Sequence, residues 1–264
     1  MDTERLNSAI DIEPAVQNWI AALERRHLAE LTFPEVSRAL RALSSTYVER
    51  RHRLGEGAAL SGAGKRAAFA LFYGPLHFLL VRSILQSLPG AADPGVVLDL
   101  GCGTGAAGAA WSGRRVIGVD RHPWALAEAA MTYAAFGLAG PTTQADVGVY
   151  RLPTQRLSIV AAFTANELTD ASRDRLLTRL VEHAQRHGSR ILIVEPLAKA
   201  AVPWWGRWSS AFSIAGGRAD EWRFRVALPE IVRKLDRASG LNHQELTGRT
   251  LWLPSPAAAR AASS

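Results

Sequence analysis

A chain of 264 residues suits one large α/β domain, or a small domain joined to a medium one. With 48% apolar and 21% charged residues it reads as a soluble globular protein rather than a disordered one, and its single cysteine, Cys102, excludes an internal disulfide and any cysteine-based metal cluster. The formal charge of +7, carried almost wholly by arginine, attracts nucleic acid or anionic substrates, or else reflects an Arg- and Ala-biased proteome.

The N-terminal stretch MDTERLNSAIDIEP has no basic segment followed by an apolar one, so a signal peptide is not expected and a cytoplasmic location is. Residues 1–88 show helical spacing and no strand, and form an expected helical cap. Val16, Trp19, Ile20, Leu23 and Leu28 share one face; Val36, Leu40, Leu43 and Tyr47 share another, with Pro34 in a first-turn position. GEGAALSGAGK, residues 55–65, reads as a flexible linker or lid. The apolar run AAFALFYGPLHFLLV, residues 67–81, is expected to be a buried helix kinked at Gly74-Pro75 and too short to span a bilayer. Tyr73 and His77 lie one turn apart on it; they are candidates to line a ligand site, with a core role as the plainer alternative.

From residue 95 the pattern changes to short β-rich runs, GVVLDL, RVIGVD, TTQAD, LSIVAAF and RILIVE, alternating with helical stretches. This is a βαβ series, so a mainly parallel sheet with helices on both faces is predicted over residues 89–254, with ligands at the carboxyl ends of its strands. LNHQELTGRTLWLP reads as a C-terminal antiparallel hairpin turning at Thr247-Gly248, and residues 255–264 as a disordered tail.

VVLDLGCGTGAAG, residues 96–108, holds two overlapping glycine patterns. Gly103, Gly105 and Gly108 spell the G-x-G-x-x-G of a pyrophosphate cradle, a weak signal alone. Gly101, Gly103 and Gly105 spell G-x-G-x-G behind Asp99. A carboxylate at Asp99 repels a pyrophosphate and favours the cationic amino group of a methionine moiety. Asp120 ends the second strand 19 residues after Gly101, where it can accept from both ribose hydroxyls of either ligand class. Asp146 ends the third strand and either accepts from the exocyclic amine of adenine or caps the next segment. Val147 places a backbone N–H near that ring, and Arg121 either lays its guanidinium on adenine or faces solvent.

VVLDLGCGTG, VIGVD, QADV and IVAAFTANELTD together resemble the motif series of class I S-adenosylmethionine-dependent methyltransferases, over residues 95 to about 195. The resemblance implies a Rossmann-like sheet and S-adenosylmethionine as cofactor. FPEVSRALRALSSTYVERR, AAFALFYGPLHFLLVRSIL, AAFTANELTD and ILIVEP are more loosely similar to the ribosomal small-subunit assembly methyltransferase-like family of mitochondria and bacteria. That family carries a cysteine cluster this chain lacks, so a cluster-dependent role is not implied.

FTANELTD, residues 163–170, follows the fourth strand, where a methyl acceptor belongs. Asn166 can orient an acceptor and Glu167 can take its proton or neutralise charge; helix or turn capping is the alternative for both. Glu195 ends the fifth strand on the same rim as a candidate acid or substrate contact. No Asn/Asp-Pro-Pro-aromatic motif follows the fourth strand, which argues against the usual methylation of nucleobase exocyclic amines. Cys102 lies in the glycine loop, not near an acceptor, which argues against cytosine carbon-5 chemistry. Residues 199–225 interleave Trp204, Trp205, Trp208 and Trp222 with Arg207, Arg218, Arg223 and Arg225. They either stack on bases and bind phosphates, Trp205 foremost, or dock on the N-terminal helices.

The expected protein is therefore a methyltransferase acting on rRNA or a small molecule, with RNA or the ribosomal small subunit as partner and no metal or membrane. A non-catalytic ribosome-associated assembly factor that keeps the cofactor fold is the rival.

Overall fold

A computed structural model describes residues 14–49, 60–111, 113, 115–198 and 202–255. Two compact units emerge: the described residues up to Leu79 with Arg223–Leu246, and Leu80–Trp222 with those from Thr247 onward.

The first unit is helical. Helix α1 (Pro14–His27) buries Val16, Trp19, Ile20 and Leu23, the face its spacing predicts. Helix α2 (Phe33–Glu49) starts from a capping box: Glu35 reaches back so that its carboxylate accepts from the Thr32 N–H at 2.8 Å and the Thr32 hydroxyl at 2.7 Å. Its Val36, Leu40 and Leu43 are buried. Residues 55–59 of the glycine-rich stretch 55–65 lie outside the described residues, and its residues 63–65 are the start of a helix rather than linker. Helix α3 (Ala63–Ala68) runs through a π-helical turn, Phe69–Tyr73, into α4 (Gly74–Ser87). The π turn explains how Pro75 is tolerated. One extra residue per turn lets the Gly74 N–H reach the Phe69 carbonyl, so the proline does not break the helix. The expectation of a segment too short for a bilayer is thereby corrected: Ala63–Ser87 is one helix of 25 residues, long and apolar enough by length and composition to cross a membrane. In the fold, 72% of its most apolar window is buried.

The second unit is a seven-stranded sheet. Its strands are β1 (Val96–Leu100), β2 (Arg115–Asp120), β3 (Thr142–Gln144), β4 (Ser158–Ala162), β5 (Arg190–Glu195), β6 (Arg218–Phe224) and β7 (Leu246–Leu253), in the order β3-β2-β1-β4-β5-β7-β6. The first five are parallel, and β7 runs antiparallel to β5, pairing Ile191 with Leu253 and Glu195 with Arg249. Order reverses between β1 and β4, the crevice where such sheets bind ligands. The crossovers are α5 (Ala106–Ala110), α6 (Pro123–Ala135) and α7 (Asp170–His187). Thr169 caps α7 by accepting from the Ser172 N–H at 3.3 Å, and Gly188 ends it in the left-handed region. Burial on both faces leaves β5 wholly enclosed, which is why RILIVE is nearly all aliphatic.

Two expectations are corrected. The strand β7 passes through Thr247-Gly248 without turning, and the antiparallel C-terminal strands are β6 and β7, separated in sequence by α9 (Glu230–Ala238). Thr-Gly lacks the Asn, Asp or Gly that a tight hairpin needs first. Gly248 instead makes room for Leu80, whose Cδ2 stands 3.2 Å from where a Cβ would lie. The Trp/Arg segment folds into α8 (Trp205–Ile214) and β6, and α8 docks on the sheet. Trp208 and Phe212 enter the core formed by Leu98, Ile159, Ile193, Leu176 and Leu251.

Candidate functional site

The loop leaving β1 is pinned to its neighbour: the N–H groups of Gly101 and Cys102 both donate to the Val119 carbonyl, at 2.8 and 3.0 Å. Gly101, Gly103 and Gly105 all have positive φ, 67°, 51° and 78°. Two of them are also forced by contact. A Cβ at Gly101 would lie 2.4 Å from the Thr164 side chain, and one at Gly105 would lie 2.9 Å from Ala129 Cα and the Tyr133 ring.

Asp120, at the end of β2, faces this loop. Its Oδ2 accepts from the Gly103 N–H at 2.9 Å and its Oδ1 from the His122 N–H at 2.8 Å. Each oxygen keeps a second lone pair, so the carboxylate organises the loop and still has capacity for a ligand's hydroxyls. Arg121, next in sequence, is exposed and lends its carbonyl to the Gln144 side chain at 3.1 Å.

Asp99 is fully buried beneath the loop. Its Oδ2 accepts from the Gly108 N–H at 2.8 Å and the Tyr133 hydroxyl at 2.9 Å, while Oδ1 has no partner. Burial pushes its pKa up to about 7 against the pull of those two donors. Cys102 is also buried, and its thiol is pushed well up by desolvation.

Asp146 is exposed and makes its own turn, Oδ1 accepting from the Gly148 N–H at 2.6 Å. Val147 is buried in the sheet core, and its carbonyl takes a hydrogen bond from Arg179 at 2.9 Å.

The turn after β4 is held from four sides. Phe163 adopts φ 58°, a strained value for a bulky residue. The Thr164 hydroxyl donates to the Leu100 carbonyl at 3.0 Å, tying the turn to the end of β1. Arg173 on α7 is buried, with Nε donating to the Ala165 carbonyl at 2.8 Å and a guanidinium N–H to the Leu168 carbonyl at 2.5 Å. Its guanidinium also lies 5.3 Å from the centre of the Trp204 ring. Asn166 donates its backbone N–H to Glu195 Oε1 at 3.3 Å and accepts on Oδ1 from the Trp204 indole N–H at 3.0 Å. Glu167 is exposed, yet local desolvation raises its carboxyl pKa, opposed by Arg121 and reinforced by Asp120.

Glu195 is fully buried under this turn, with Oε2 unpartnered. Burial pushes its pKa up to about 8, opposed by the N–H groups of Asn166 and Ala165. Trp205 is half-buried under the Arg249 guanidinium, 5.0 Å from its ring centre. Tyr73 and His77 belong to the helical unit: the Tyr73 hydroxyl is 3.4 Å from that of Ser44, and His77 packs 6.0 Å from the Tyr73 ring. Burial pulls the His77 pKa down to about 4, so the imidazole is neutral.

The structure thus gathers Asp99, the three glycines and Asp120 about one loop and Asn166 with Glu195 about the next, with Glu167 feeling the charges of Arg121 and Asp120. Sequence reasoning missed Tyr133, Thr164 and Arg173, which hold these groups together with Trp204. The indole at Trp204 was legible as chemistry, but its partner 38 residues away was not.

Residues 97–188 match the family model described as a methyltransferase domain. A curated relative, ribosomal RNA small subunit methyltransferase C of Pseudomonas aeruginosa (strain LESB58), is 35% identical over 127 residues, 46% of this chain and 37% of the relative. The protein of the same name in strain UCBPP-PA14 is 34% identical over the same length. The chain therefore spans little more than a third of the length of the curated relatives it matches. Among solved structures, the magnesium protoporphyrin IX methyltransferase of Synechocystis PCC 6803 aligns with a TM-score of 0.44 at 13% identity, covering 83% of this chain and 97% of that one. With its strand order, its glycine loop and the acids at the ends of β1 and β2, residues 97–188 are a class I, S-adenosylmethionine-dependent methyltransferase domain.

Proposed function

We propose that this protein transfers the methyl group of S-adenosylmethionine to an acceptor in RNA, with ribosomal small-subunit RNA the first to test. The observation that carries the reading is the loop at the switch point: three glycines at positive φ, drawn onto Asp120 through the Gly103 N–H. The cradle suits an adenosyl ligand without phosphates. Asp120 retains acceptor capacity for ribose hydroxyls, and the buried, unpartnered Asp99 Oδ1 sits beneath the same loop. Gly101, Gly103, Gly105 and Asp120 would hold the cofactor, with Asp146, Val147 and Arg121 on its adenine side. The cofactor, when bound, supplies an electrophilic methyl group on a sulfonium. The residues' task is then to bring a nucleophile into line at about 3–3.5 Å. The turn at 163–167 is built for this, because its rigidity comes from three other elements of the fold. Its Asn166 faces the acceptor and Glu167 stands on the cofactor side.

RNA as acceptor rests on the net charge of +7 and on the curated relatives, both named as ribosomal RNA methyltransferases. A cytoplasmic location accompanies that acceptor. The test is incubation with tritiated S-adenosylmethionine and fractionated bacterial lysate. Label in small-subunit rRNA is expected. Label confined to small molecules would replace the acceptor, and cofactor binding without any label would favour the non-catalytic assembly factor.

A further inference from the structure

The Asn166 amide can point only one way. An indole N–H is a donor and never an acceptor, so the atom 3.0 Å from Trp204 Nε1 is the amide oxygen. The carbonyl end of the side chain is thereby committed to the protein. The amide NH2 has no partner among the described residues, and Asn166 is only half-buried. The backbone beneath it is fixed as well, by Glu195 through the Asn166 N–H and by Arg173 through the Ala165 carbonyl. Rotation that would offer the oxygen instead leaves a half-buried indole N–H facing an NH2 group, donor against donor.

We propose that the acceptor site reads a hydrogen-bond acceptor, a carbonyl oxygen or an unprotonated ring nitrogen, placed beside the atom to be methylated, and that Trp204 sets this polarity by holding Asn166. The inference rests on the methyltransferase reading above and narrows it. An exocyclic amine needs an acceptor to hold its N–H groups, and Asn166 offers donors. This agrees with the absence of an Asn/Asp-Pro-Pro-aromatic run after β4, where the sequence reads Phe163-Thr164-Ala165-Asn166. Asn166 would touch the substrate; Trp204 is a positioning residue acting through it.

The test compares wild type, Asn166→Asp, Trp204→Phe and the double variant, with tritiated S-adenosylmethionine and small-subunit rRNA transcribed in vitro. Asn166→Asp keeps an oxygen for the indole and removes both donors. Transfer to rRNA should fall at least tenfold in kcat/KM, with cofactor affinity by calorimetry and the melting temperature nearly unchanged. Trp204→Phe keeps the ring and frees the amide, so a loss of about threefold to tenfold is expected, the range for one hydrogen bond. Because both act through one amide, Trp204→Phe should add nothing in the Asn166→Asp background. Wild-type rates in Asn166→Asp, or losses that multiply in the double variant, would overturn the inference while the methyltransferase reading stands. Absence of label with wild type, despite cofactor binding, would overturn that reading and the inference with it.

Discussion

Gly108 donates its backbone N–H to Asp99 Oδ2 at 2.8 Å, and a Cβ on Gly108 would stand only 2.6 Å from the same oxygen. The third glycine of the apparent dinucleotide fingerprint is therefore glycine because an acid lies against it. A buried carboxylate in that position leaves the loop suited to a ligand without phosphates.

Gly108→Ala should accordingly destabilise the protein by about 1–3 kcal/mol, the usual cost of overpacking. Gly206→Ala, in α8 with open space around it, should be neutral or stabilising by up to about 1 kcal/mol through helix propensity. Chemical denaturation of both variants checks the pair; equal effects would show that the contact with Asp99 does not matter.

Asp120→Ala removes the acceptor for Gly103 as well as any ribose contact. Affinity for S-adenosylmethionine should fall by roughly 1.5–3 kcal/mol, the range for hydrogen bonds to a charged group. The partners it leaves are loop N–H groups near the surface, so folding should survive. Unchanged affinity by calorimetric titration would remove Asp120 from the cofactor site.

Glu195 makes stability depend on pH with a definite sign. Its pKa in the fold, about 8, lies above the ordinary 4.5, so between those values the folded state holds a proton that the unfolded state has lost. Stability contributed this way is lost as pH rises through that window. Asp99, raised to about 7, acts in the same direction over its own window. Glu195→Gln copies the neutral carboxyl and keeps an oxygen for the Asn166 N–H. Its melting temperature should exceed wild type by several degrees at pH 8 and differ little at pH 5. The same pH dependence in both proteins would exclude Glu195 as its source.

The Trp/Arg segment separates into two sets of effects. Trp208 is fully buried among sheet and helix residues, so Trp208→Ala should cost about 3–5 kcal/mol. Its indole N–H has no partner, so Trp208→Phe should cost far less. Arg207, Arg223 and Arg225 are exposed and, among the described residues, pair with Asp174 and Glu245, contacts worth about 0–1 kcal/mol each. Replacing the three together should leave the melt unchanged. If each meets a phosphate, the slope of log affinity for single-stranded RNA against log salt should flatten by about 2. Filter binding at several salt concentrations reads this, and an unaltered slope would exclude these arginines from the RNA path.

Much of the second unit was decided by the sequence alone. Strands that must be buried on both faces are written as aliphatic runs, and helices that cover them carry a 3.6-residue stripe, so RILIVE and DASRDRLLTRLVEHAQRH announce β5 and α7 directly. The glycine loop and Asp120 were legible because their requirements are local: a positive φ, and an acid at the next strand end. What only the tertiary structure decided involves partners far apart in the chain. Asp99 meets Tyr133 across 34 residues, and Thr164 meets Leu100 across 64. Trp204 meets Asn166 across 38. Gly248 within β7 lies against Leu80, far away in the chain, and the long helix passes Pro75 through a change of helical pitch. No periodicity carries such information, because these are contacts between side chains and backbone brought together by the strand order. That order placed a donor-bearing amide and an acidic rim on the two loops at the switch point, β1 to α5 and β4 to α7.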